Sequence, residues 1–177
     1  MVTHLPRTLR LDLSDTLIFP AAAEPGEWAV PGGFCFWDDT EATLQGKRRQ
    51  AFRAGFLGLA SFGWSTLVEV VAATAEQRAA ALAALAAHIH TAYGAPDLAA
   101  AGAAAAEEIG FAETLCQDHA PGTVLALERG MEGGEVRERF RTLHRRAEPP
   151  RGPMHSLPVF AIAEVDEAVE HPDLTKL

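Results

Sequence analysis

Residues 65–77 read STLVEVVAATAEQ, and the fold class follows from where this stretch changes its period. Val68, Val70 and Val71 beside Leu67 mark a strand, because β-branched side chains fit a pleated, covered surface. Thr74 and Gln77 then stand three residues apart ahead of an alanine-rich run. That spacing is a capping box, in which the threonine accepts from the Gln77 amide and the glutamine reaches back, so a helix opens there. Its inward face is Leu82, Leu85, Ile89 and Tyr93, and Gly94 ends it.

Elements on the C-terminal side follow the same logic. Pro96 suits the first position of a further helix, with an inward stripe of Leu98, Gly102, Ala105, Ile109, Ala112 and Cys116. Between residues 72 and 106, 19 of 35 residues are alanine, which favours helix and lets two helices approach closely. TVLALER and EVRERFRTL flank Gly130–Gly134 as a hairpin. After the linker AEPPRGP, PVFAIAEV over 158–165 predicts a last strand, and 166–177 a polar tail.

On the N-terminal side, the alternation of Leu9, Leu11 and Leu13 with Thr8, Arg10 and Asp12 predicts a strand over 7–19. WAVPGGFCFWDD predicts a second strand interrupted at Pro31-Gly32-Gly33, with Phe34 and Phe36 on one face and Cys35 and Trp37 on the other. Asp39 or Thr40 caps a helix running to about Phe56, with Leu44, Ala51, Phe52 and Gly55 inward. GFLGLASFGW reads as a glycine-spaced apolar loop. Strands and helices in runs, without strict alternation, predict an α+β domain over residues 1–177: a mostly antiparallel sheet of about six strands with three helices on one face.

Composition bounds the function. A net charge of −9, from 24 acidic and 15 basic residues, disfavours nucleic acid and anionic membranes, which need a positive face. No apolar run suits a bilayer and no leader is visible, so the expectation is a cytoplasmic protein. Two cysteines make no disulfide framework and no zinc spacing. No phosphate loop, nucleophile elbow or metal signature is present, and no cofactor is expected.

Candidate sites are few. Glu113, Cys116 and His119 are spaced by three, which on a helix forms a leaning column that suits a thiolate beside a base. Against that, Cys116 shares a stripe with Ile109 and Ala112, and Pro121 turns the chain away just past His119, so a helix tail is the favoured reading. His88 and His90 point to opposite sides of their helix and form no metal clamp. Arg137, Arg139 and Arg141 share one strand face, read as a solvated row balanced by Glu128 and Glu135. Glu138 then lies inward with Phe140, and Glu69 with Leu67 and Val71, where each needs a partner. Nine of 13 aromatic residues fall between positions 19 and 64. Trp28, Phe36, Trp37, Phe62 and Trp64 are the candidates there for an interface or a pocket.

LPRTLRLDLSDT with EPGEWAVPGGFCFWDD, FRAGFLGLASFGWSTLVEVV and VRERFRTLH together resemble an uncharacterised family of proteobacterial proteins. The resemblance covers nearly the whole chain and implies no activity and no catalytic residues. Two readings remain. One is a non-catalytic accessory or assembly protein that binds a protein partner or itself through the aromatic region. The other is a small ligand-binding protein or enzyme with a pocket lined by Trp28, Phe36, Trp37 and Trp64. Its polar groups would come from Glu113, Cys116 and His119, or from Asp38 and Asp39.

Overall fold

A computed structural model describes residues 2–145 and 160–161. In chain order the elements are β1 (Thr3–Leu9), α1 (Ser14–Ile18), β2 (Ala29–Val30), a 3-10 turn (Gly33–Phe36), α2 (Gly46–Ala54), β3 (Phe56–Gly58), β4 (Trp64–Ser65), β5 (Leu67–Ala73), α3 (Ala75–Ala92), α4 (Leu98–Cys116), β6 (Val124–Glu132), β7 (Glu135–Arg145) and β8 (Phe160–Ala161). The α+β class stands. The strands form two antiparallel sheets, β1-β5-β6-β7-β8 and β2-β3-β4. A single antiparallel bridge at Arg7–Trp28 links the two, and a parallel bridge at Ala22–Trp64 ties the segment after α1 to β4.

The core has two clusters. Val68, Val70, Leu125, Leu127 and Phe140 from the larger sheet pack with Leu115 and Cys116 of α4. Phe36, Phe52, Leu57 and Trp64 belong to a second cluster that includes Leu85, Ile89, Ala101, Ala105 and Ile109 of the long helices. α3 lies chiefly on α4, so it forms an outer layer and is not laid directly on the sheet as expected. The alanines at 81, 101, 105 and 112 are buried.

The capping box is present: the Gln77 amide donates to Thr74 Oγ1 at 3.2 Å, and the Thr74 amide to Gln77 Oε1 at 2.9 Å. The β6–β7 hairpin closes on Gly133 and Gly134 at φ +59° and +81°, the left-handed pair that a two-residue turn requires. The outward arginine row is as read, with Arg141 3.4 Å from Glu128 and Arg137 within 3.9 Å of Glu132 and Glu135.

Several boundaries move, each for a local reason. The first strand is Thr3–Leu9, not 7–19, and Leu11, Leu13 and Leu17 are exposed. Beyond Leu9, Asp12 accepts from the Ser14 amide and Thr16 donates to the Leu13 carbonyl. Such short-range bonds compete with a ladder and open α1 instead. The helix expected from residue 39 starts at Gly46, because residues 39–45 close turns of their own through Thr40 and Thr43. Leu98 is exposed and Pro96 precedes the helix, since Asp97 is the cap, accepting from the Ala100 amide at 2.7 Å. The loop GFLGLASFGW is the β3–β4 hairpin. Of the last expected strand only Phe160–Ala161 is described; the remainder of 158–165, the linker at 147–153 and the tail at 166–177 lie outside the described residues.

Candidate functional site

The expected strand through Phe34–Trp37 is a 3-10 turn instead, and buried charge is the reason. The β6–β7 register sets Arg129 directly opposite Glu138, on the face that carries Leu127 and Phe140 inward. Arg129 Nε donates to Glu138 Oε1 at 2.9 Å, Nη1 to the Phe52 carbonyl at 2.7 Å and Nη2 to the Pro31 carbonyl at 2.7 Å. Its side chain is 0% exposed. One planar guanidinium therefore joins the hairpin, the end of α2 and the start of the turn, a geometry that a lysine cannot reproduce. The glycines make room for it. Gly32 sits at φ +79°, where a Cβ would meet that of Leu57 at 2.8 Å, and a Cβ on Gly33 would overlap the Glu138 carboxylate.

Glu108 enters the same cluster from α4, buried, and accepts from the Gly32 amide. Burial first, and the neighbouring Glu138 charge second, push its carboxyl up to about 8, against the opposing pull of Arg129 and the Gly32 amide. Burial therefore favours the protonated, neutral form of Glu108. One buried oxygen each of Glu108 and Glu138 lacks a hydrogen-bond partner among the described residues. A folded pKa above the ordinary 4.5 means that the native state holds a proton the unfolded chain releases. Stability is full below about pH 4.5 and declines as pH rises through about 8. In Glu108→Gln, which keeps the acceptor for Gly32, this slope is expected to vanish from urea midpoints taken between pH 5 and 8. An unchanged slope would place the titrating group elsewhere.

The outer half of the turn is held as firmly. Arg48 of α2 makes a bidentate pair with Asp39, lies over the Phe36 ring and reaches the Cys35 carbonyl. The Arg48 guanidinium holds the Asp39 carboxyl below its usual range. Cys35 is buried, bonded to Tyr93, and pushed by burial up to about 12, so it is a core thiol with no nucleophilic form at neutral pH. Trp37 follows Phe36 on this anchored backbone and points outward, 63% exposed.

The five aromatic candidates separate sharply. Phe36 and Trp64 are core, 1% and 9% exposed, with ring centroids 5.1 Å apart. Trp28 is half-buried beneath the Arg7 guanidinium. Phe62, at φ +55°, stacks on His88 at 3.7 Å. Trp37 alone of the five is exposed. Its neighbour Asp38 faces solvent, whereas Asp39 is committed to Arg48 and Thr43.

Glu113, Cys116 and His119 receive three separate environments. Glu113 is held by Arg78 of α3 at 2.6 and 3.0 Å, and this guanidinium lowers its carboxyl. Cys116 is fully buried in the sheet cluster and pushed by burial up to about 12. His119 follows the end of α4 and closes the turn with its amide on the Cys116 carbonyl. Among the described residues no group of three His, Cys, Asp or Glu side chains is placed to hold a metal, and no helix is long and apolar enough to cross a membrane.

Sequence reasoning missed Arg129, Glu108 and Glu27. Glu27, buried, accepts from the amides of Glu24, Ala60 and Ser61 and from the Ser61 hydroxyl, tying down the β3–β4 tip. Only Arg129 left a signal, since it follows Leu125 and Leu127 in an alternating strand.

Fold and site together define an α+β protein with a charge-locked turn that presents one tryptophan. The chain belongs to the family of unknown function DUF6505, whose model matches residues 2–157. Comparison with curated proteins and with solved structures returns no match.

Proposed function

We propose that this protein is a non-catalytic accessory domain that docks a protein partner on the turn bearing Trp37. The observation that carries the reading is the contrast at that turn: a large apolar side chain 63% exposed on a backbone fixed by Arg129, Glu108, Arg48 and Tyr93. A rigid exposed tryptophan loses little conformational freedom on binding, which is why such residues serve as interface anchors. Asp38 and Glu41, both exposed, flank it, so the partner fitted to it has an apolar pocket with a basic rim. A second copy of a chain with net charge −9 is the poorer match, since like charges oppose association.

Trp37→Ala is expected to weaken binding by about 2–4 kcal/mol and to leave the unfolding midpoint near that of the wild type, because an exposed side chain carries little fold stability. The experiment is affinity capture from the source organism with wild-type and Trp37→Ala baits, read by mass spectrometry. A protein captured by the first and lost by the second, and then bound directly when purified, supports the reading. Identical captures would overturn it.

A further inference from the structure

A second surface feature lies between α2 and β6, where Phe52 of the aromatic cluster reaches its floor. β5 pairs with β6 only through Val124–Ala126. Beyond that point α2 runs beside β6, leaving a cleft of about 590 Å³, within the range of about 300–1,000 Å³ common for small-ligand sites. Leu44 and Phe52, both buried, and Met131 give it an apolar floor.

Its charge is unusual for this chain. α2 carries Lys47, Arg48, Arg49 and Arg53 and no acidic residue, in a protein of net charge −9. Arg48 is committed to Asp39. Arg49 and Arg53, both lining the cleft, stand four residues apart and so share one side of the helix. Neither has an ion-pair partner among the described residues. The guanidinium of Arg129 is fully taken up by Glu138 and backbone carbonyls, and Glu128 is drawn to Arg141. Among the described residues two unpaired cations therefore line one cleft with one uncommitted carboxylate, Glu41, over an apolar floor. Gly130 adds to the opening: a Cβ there meets nothing within 4 Å.

We infer that this cleft binds a small organic carboxylate with an apolar body, its headgroup paired by Arg49 and Arg53 and its body laid on Leu44, Phe52 and Met131. Arginine suits that headgroup because its planar fork matches a carboxylate.

The test is calorimetric titration of the full chain with octanoate, with octanamide as the uncharged control. The expected result is saturable octanoate binding, about tenfold or more tighter than octanamide. The double variant Arg49→Gln/Arg53→Gln should bring octanoate down to the octanamide level. Met131→Ser removes part of the apolar floor and should weaken binding of both probes. Absence of saturable binding, equal affinity for the two probes, or octanoate binding unchanged in both variants would each overturn the inference. So would an acidic peptide that binds through Arg49 and Arg53 where octanoate does not.

Discussion

Replacing Arg129 by methionine is expected to cost about 3–5 kcal/mol of stability, the usual penalty for removing one member of a buried ion pair. The loss has two sources. Glu138 is left without its cation in a site that is 4% exposed, and the carbonyls of Pro31 and Phe52 lose their donor. The double variant Arg129→Met/Glu138→Leu should recover part of the loss, because the uncompensated carboxylate is gone and only the two carbonyls remain without a partner. Urea denaturation of the three proteins at one pH gives the comparison. A single-variant loss below about 1 kcal/mol would mean that water reaches the pair.

Truncating Trp64 to alanine should cost about 3–5 kcal/mol as well, from lost burial and the cavity left behind. Its ring lies against Phe36, and it is so close to Gly32 and Gly55 that a Cβ on either would approach it within 3.1 and 2.8 Å. Little can collapse into the gap without moving the turn. Phe62→Ala is expected to cost less, since Phe62 is half-buried and its main contact is the face of His88. A Trp64→Ala protein with the wild-type midpoint would show that this aromatic cluster does not hold the fold.

What the sequence made legible was the structure whose causes are local. The Thr74–Gln77 cap, the β6–β7 hairpin and the outward arginine row depend on spacings of a few residues, and each is found, the hairpin with its turn narrowed from Gly130–Gly134 to Gly133–Gly134. The turn at 33–36 was not legible, because its conformation is imposed from a distance. Arg129 reaches the Pro31 carbonyl across 98 positions in the chain, and nothing near Pro31 announces it. Glu138 was singled out as an inward carboxylate in need of a partner. The partner could have been found, since a two-residue turn at Gly133–Gly134 sets Arg129 opposite it. Glu108 gave no warning: on α4 it reads as one more polar position beside Glu107. Trp37 was grouped with four other aromatics by proximity in sequence, and only the 3-10 turn in place of a strand separates it from the core residues Phe36 and Trp64.

The most direct measurement of the docking role is a fluorine NMR spectrum of the protein labelled with 5-fluorotryptophan, recorded as the captured partner is added. Three resonances are expected, one for each tryptophan, with that of Trp37 identified by its loss in Trp37→Phe. If the locked turn is the docking face, the Trp37 resonance shifts or broadens on binding while those of Trp28 and Trp64 stay in place. A Trp37 resonance that does not move as the partner binds would contradict it.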